Sequence, residues 1–213
     1  MIILQIYIKF EVNVQLLKGG FIIMKLDVIQ QEDMALYPIS NGRGMHASTK
    51  ILKVNSPSLI LPKKPQKVLE VSCRFYGAPY LHKKNEATRI TGITSKPPIL
   101  LTPLFPTYFF PTHSDRKSEN AWINIHYVEK IKELKDKRCK IFFVDNQTLT
   151  VNVSKHSLDH QYKNAILYNF LMERSVKVFT SDPNNPIDYA KKELNIYEVL
   201  LNTRNYLNIR SSI

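Results

Sequence analysis

The chain has 213 residues, 44% hydrophobic and 10% aromatic, enough to bury one sizeable core and too apolar for a wholly disordered polymer. Thirty Lys/Arg against 18 Asp/Glu give a net charge of +12, which favours a polyanionic partner, either nucleic acid or an acidic membrane face. Six glycines exclude collagen-like and glycine-linker architectures, while two cysteines, Cys73 and Cys139, exclude a disulfide framework or a cysteine-only zinc site and fit a reducing cytosol.

Residues 1–24 are the most apolar stretch. Gln5, Lys9, Glu11 and Asn13 interrupt it, so it reaches neither the length of a membrane span nor the pattern of a signal peptide. Ile8, Phe10, Val12 and Val14 alternate with polar residues as in a strand. Lys18-Gly19-Gly20 can be encoded by a purine-rich ribosome-binding sequence, with Met24 at the distance of a start codon. The expectation is therefore that residues 1–23 are a non-native upstream extension and that translation starts at Met24.

A strand is predicted near 26–38 and another near 49–54, followed by proline-bounded apolar segments at 58–61 and 98–104. Residues 65–76 read as a short helix, with Pro65 tolerated in its first turn and Gly77 as its stop. Tyr108-Phe109-Phe110 before Pro111 suggests an edge strand, because proline cannot donate to a ladder. Trp122 to Val128 reads as one strand, and 141–144 with 149–153 as a hairpin through Asp145-Asn146-Gln147. The clearest helix spans about 157–173, with Ser157 as N-cap and an apolar stripe of Leu158, Tyr162, Ala165, Ile166 and Phe170. After a breaker at Asp182–Pro186, a last helix is predicted at about 187–207. Strands first and helices last imply an α+β fold: a mostly antiparallel sheet core, a C-terminal amphipathic helix and a further helix in the tail.

Catalytic and metal chemistry find little support. His156 and His160 flank Asp159 in a pattern near that of zinc hydrolases, but the water-activating glutamate and a third ligand are missing. Cys73 beside Arg74 could carry a lowered thiol pKa, yet no histidine stands in an obvious base position. No nucleophile elbow, phosphate-binding loop, dinucleotide fingerprint or H-E-x-x-H motif occurs. No enzyme activity and no cofactor are expected.

Charge is concentrated. Residues 60–100 hold eight Lys/Arg against two acids, +6, and residues 113–140 hold eight against five, +3. Within the first block, Arg74, Lys83, Lys84, Arg89 and Lys96 are interleaved with Phe75, Tyr76 and Tyr80. Lysine and arginine neutralise phosphates and release counterions, and an arginine in a narrow A-tract minor groove adds selectivity. These five residues are the candidate DNA-binding face, with Arg74 and Arg89 entering the groove and the lysines on phosphates. Phe75, Phe109, Phe110, Trp122, Ile123 and Phe143 are expected in the core beneath.

Four segments in register, Ser72-Cys73-Arg74-Phe75-Tyr76-Gly77, Lys96-Pro97-Pro98-Ile99, Phe110-Pro111-Thr112 and Trp122-Ile123, resemble the ComK family of competence transcription factors of Gram-positive bacteria. The similarity runs from about Leu26 to Glu173, and the Lys-, Asn- and Ile-rich composition is similar to that of a staphylococcal-like member. The organisation it implies is an extension over 1–23, a ComK-like DNA-binding domain over 24–175 and a helical tail over 176–213.

The resemblance implies a cytoplasmic, nucleoid-associated activator of DNA-uptake and transformation genes. Such a protein binds paired A-rich and T-rich promoter boxes of double-stranded DNA through the minor groove. It works as a dimer or pair of dimers (a tetramer) and acts indirectly on RNA polymerase, with no membrane partner. The resemblance also implies adaptor-delivered Clp proteolysis, but residues 174–213 do not resemble the family's tails and show no adaptor-recognition stretch to support it. Three alternatives stand beside this reading: an RNA-binding module with stacking aromatics, a metal-dependent hydrolase built on His156 and His160, and a peripheral protein holding acidic lipid through residues 1–23.

Overall fold

The computed structural model describes residues 14–16, 22–24, 27–40, 48–103 and 107–180, with side chains over 27–40, 48–103 and 107–174. The predicted helix at 187–207, the breaker before it and most of the N-terminal extension lie outside the described residues. Within the extension, β1 (Val14–Leu16) pairs antiparallel with β2 (Ile22–Met24), Val14 opposite Met24.

The architecture is α+β. A six-stranded antiparallel sheet has the order β5-β4-β3-β8-β7-β6. Its strands are β3 (Asp33–Ile39), β4 (Ser48–Lys53), β5 (Ser56–Leu61), β6 (Ile99–Leu100), β7 (Tyr108–Pro111) and β8 (Trp122–Asn124). A second, three-stranded antiparallel sheet is built from β9 (Val128–Glu133), β10 (Cys139–Phe143) and β11 (Thr148–Val151), with β10 central.

Around β6, β7 and β8 the large sheet is buried on both faces, which explains why these strands read as continuous apolar runs, whereas the edge strand β5 is largely exposed. Successive side chains of a strand point to opposite faces. Leu36, Ile51, Ile99, Phe109 and Trp122 accordingly join one core, against Val68, Leu69 and Cys73 of α1 (Pro65–Phe75). Their neighbours Ala35, Leu52, Leu100, Phe110 and Ile123 join the other. That second core is completed by Ile141 and Phe143 of the small sheet, by Ala87 of α2 (Tyr80–Thr91), and by Leu158, Ala165 and Tyr168 of α3 (Lys155–Thr180). Of the six expected core residues only Phe75 is not fully buried; it is half-buried, edge-on to Tyr76 with ring centroids 5.0 Å apart.

Several elements differ from the sequence expectation. β7 is not an edge strand, since it pairs with both β6 and β8. Pro111 is tolerated because β6 pairs only as far as Ile99 opposite Phe109, so the proline lies past the end of its neighbour. Trp122–Val128 is not one strand: the Asn124 side chain accepts a hydrogen bond from the His126 N–H and starts a 3-10 turn at Ile125–Tyr127, which redirects the chain from one sheet into the other.

The final helix starts at Lys155, not Ser157, because Ser154 caps it: its Oγ accepts from the Ser157 N–H, and its carbonyl from the Leu158 N–H. The buried stripe is also rotated, with Gln161, Asn164 and Tyr168 buried and Ile166 and Phe170 only half-buried. The hairpin turn lacking glycine is solved by Asn146, at φ +67°.

Candidate nucleic-acid interface

Helix α1 begins on Pro65, whose missing N–H is harmless in a first turn. It ends at Tyr76, after which Gly77 takes φ +99°, a conformation that L side chains rarely adopt. The Gly77 and Ala78 N–H groups close the turn on the Arg74 and Cys73 carbonyls, so α2 starts only four residues after α1 ends. This turn fixes the basic segment as two adjacent helices. The sequence reading missed α2: Pro79, its N-cap, provides no capping side chain, and an uncapped helix of weak apolar periodicity gives little signal.

The five expected DNA-face residues fall into three places. Arg74 is exposed in the last turn of α1, and Arg89 is exposed in the last turn of α2. Neither joins an ion pair among the described residues. Lys83, expected at the surface, is only 7% exposed. It shares the inward side of α2 with Ala87, one turn on, and burial pushes its pKa below the ordinary lysine value despite the attraction of Glu86. Lys83 and Arg89 line one shallow cavity of about 390 Å³ with His82, Asn85 and Glu86. The other two, Lys84 and Lys96, line a groove of about 820 Å³.

That groove runs between the helices and the start of α3, and gathers His113, Arg116, Lys117, Ser154 and Ser157 beside Lys84 and Lys96. One wall is a network. The Lys84 Nζ lies 2.7 Å from Asp115 Oδ2, which also accepts from the Tyr80 hydroxyl at 3.0 Å. The Tyr80 ring stands edge-on to Trp122, centroids 6.1 Å apart, and the Trp122 indole N–H reaches Gln66 at 3.3 Å. Partial burial pushes the Asp115 carboxyl upward, but the bonds from Lys84 and Tyr80 outweigh it and hold the group below the usual carboxylate range. Lys96 sits at φ +51° with its Nζ 3.4 Å from Ser157 Oγ. His113 Nε2 faces the Asn152 carbonyl at 3.1 Å, so it must carry the proton, leaving Nδ1 to accept from the Thr112 hydroxyl at 3.0 Å. Burial lowers the His113 pKa accordingly.

Two features escaped the sequence reading. The exposed side of α2 carries Leu81, 61% exposed, with His82, Asn85, Glu86 and Arg89, a stripe visible once a helix is drawn there. Arg116 and Lys117 join the groove only through the fold, since they lie 20 residues or more from Lys96 in the chain.

The other motifs are placed plainly. Cys73 is buried, and burial pushes its thiol up to about 12, which keeps it protonated. His156 and His160 are both exposed on the first turns of α3. No group of three or more potential metal-ligating side chains occurs among the described residues, and no helix there is long and apolar enough to cross a membrane.

The sequence model of the family described as ComK protein matches residues 24–177. The competence transcription factor of Bacillus subtilis (strain 168) is 30% identical over 112 residues, covering 52% of this chain and 58% of that protein, so the match spans less than two thirds of the relative. No solved structure matches the chain. With the matched segment spanning α1, α2, both main sheets and nearly all of α3, the chain belongs to the ComK family.

Proposed function

We propose that the chain is a cytoplasmic transcriptional activator of competence genes that binds double-stranded, AT-rich promoter DNA. The observation carrying this reading is the pair of exposed arginines, Arg74 and Arg89, on adjacent helices and without an ion pair among the described residues, in a member of the ComK family. An unpaired guanidinium keeps its full field for phosphate, and it sheds water more readily than an ammonium on entering a narrow groove. Lys84 and Lys96 extend the contact into the neighbouring groove, where Arg116 and Lys117 add charge the sequence reading had not assigned. Lys83 takes part only after its side chain turns out of the interior.

Paired A-rich and T-rich boxes, minor-groove entry and assembly into dimers or tetramers are carried over from the family as parts of this proposal. Translation from Met24 and a domain ending near residue 175 are proposed with them. Duplex is favoured over single-stranded RNA by one feature: the exposed large apolar residues among the described ones are Ile60, Leu81 and Val144, none of them a ring on which a base could stack.

Footprinting on AT-rich promoter fragments across a salt series, with protein starting at Met24, tests the reading. Protection that weakens steeply with salt and prefers AT-rich over GC-rich duplex is expected. Failure to bind at low ionic strength, or equal retention of GC-rich duplex, refutes it.

A further inference from the structure

The small sheet has one face in the core and one in water, and the strand register fixes what each carries. Ile141, Leu149 and Val151 point inward. The outward positions form two rungs: Lys132, Lys140 and Thr150 on one, Lys130, Phe142 and Thr148 on the next. None of these paired positions holds a carboxylate, and none of the three lysines joins an ion pair among the described residues. Of the two acids of β9, Glu133 pairs with buried Cys139 on the opposite face, and Glu129 falls at the irregularity between Lys130 and Val128, outside the paired positions.

Such a face is electrostatically unfavourable in the free protein. Lys132 and Lys140 are direct cross-strand partners, and like charges placed opposite each other destabilise a sheet. Both are drawn over the ring of Phe142, with Nζ 5.9 Å and 5.4 Å from its centroid, which holds their stems upright but does not neutralise them. A surface that keeps its charges unpaired at some expense of stability is open to an external anion.

We propose that this outward face of β9, β10 and β11 is a second DNA-contact surface, seating the sugar-phosphate backbone of the duplex away from α1 and α2. The proposal rests on the DNA-binding reading above. Charge complementarity picks the occupant. Lysine is a point charge suited to phosphate, and the Thr148 and Thr150 hydroxyls can donate to phosphate oxygens. The face has no arginine, asparagine or glutamine to read a base edge, so its contribution is independent of sequence. Its geometry suits a backbone, with Lys130 and Lys132 about 7 Å apart along β9 and neighbouring strands about 4.8 Å apart. Phe142, half-buried and covered by two lysine stems, is not a stacking platform.

The test replaces Lys130, Lys132 and Lys140 together by Gln in the full chain. Binding to an AT-rich promoter duplex and to a GC-rich duplex is measured from 50 to 200 mM salt, beside thermal unfolding. A second triple variant, Lys64→Gln, Lys67→Gln and Lys163→Gln, removes equal charge from exposed positions outside the small sheet. Three lost phosphate contacts should reduce the salt slope by about 2.7, so the wild-type advantage shrinks roughly 40-fold over that range. AT preference should survive, and the unfolding midpoint should hold or rise as the Lys132–Lys140 repulsion disappears.

Unchanged affinity and slope overturn the proposal while leaving the α1–α2 reading intact. Equal slope loss in the second triple variant also overturns it, because net charge alone would then account for the effect. A lowered midpoint with unchanged slope assigns the lysines to packing and overturns it too. Wild-type protein that ignores duplex DNA overturns both readings together.

Discussion

Asp115→Asn separates stability from DNA affinity at a single atom. In the wild type, Asp115 Oδ2 holds the Lys84 ammonium at 2.7 Å and the Tyr80 hydroxyl at 3.0 Å, with side-chain exposures of 23% for Asp115 and 30% for Lys84. The amide oxygen of asparagine still accepts from Tyr80, so the lost component is the charged bond. For a partly exposed pair this is worth about 1 kcal/mol after solvent screening, which lowers the melting temperature of a chain this size by about 2–4 °C. Losing the carboxylate also removes a negative charge from the basic groove and frees Lys84 for phosphate. Affinity for duplex should therefore rise as stability falls, with a salt slope steeper by about 0.9.

The pH dependence has a fixed sign. A carboxyl held below its ordinary 3.8 in the fold stabilises fully above that pH and loses the contribution as pH falls through its depressed folded value, so wild type and variant converge in strong acid. Fluorescence anisotropy with a labelled duplex, run beside thermal melts at pH 7 and pH 3, reads all three quantities. Unchanged or weakened binding at an unchanged slope would refute the groove as a phosphate site. An unchanged melting temperature would refute the ion pair.

Ser72→Ala should destabilise by about 1–3 kcal/mol in urea unfolding, because Ser72 Oγ accepts from the buried Ile29 N–H at 2.9 Å while donating to the Val68 carbonyl; a loss near zero would mean water replaces it. Gly77→Ala should lose about 1–3 kcal/mol through backbone strain alone, since φ is +99° and nothing lies within 4 Å of the added methyl; a much larger loss would indicate a clash. The wild type should lose stability as pH falls from 7.5 to 5.5, because His113 is held neutral by burial and its folded pKa lies below the ordinary 6.5. His113→Gln should flatten that decline in denaturant midpoints, and an identical decline in both proteins would show that His113 does not carry it.

How much of this was legible in the chain depends on how local the signal was. Pro65 and Gly77 bracket α1 through their own backbone restrictions, so its ends could be read directly. The doubly buried strands could not be told from edge strands by composition, because Tyr108-Phe109-Phe110 is apolar either way and only pairing with both β6 and β8 reveals its position. The break after Asn124 depends on one side chain folding back on His126, a choice made against a continuous strand of equal propensity. At the site, the concentration of charge was plain, but the fate of each charge was tertiary. Lys83 turns inward with Ala87, Lys84 is claimed by an aspartate 31 residues away, and Arg116 arrives from a loop. The K-I-K alternation at 130–132 fits an outward lysine face but prompted no expectation, and only the register with β10 reveals that Lys132 stands opposite Lys140 and Lys130 opposite the Phe142 ring.

The double burial of β7 and its neighbours restricts how this family's chain length can drift. Adding or deleting one residue within Tyr108–Pro111 would exchange the destinations of Phe109 and Phe110, sending each ring toward a space shaped for the other. Length variation among relatives should therefore collect between strands, and aligned sequences should keep paired large residues in unbroken step through these segments.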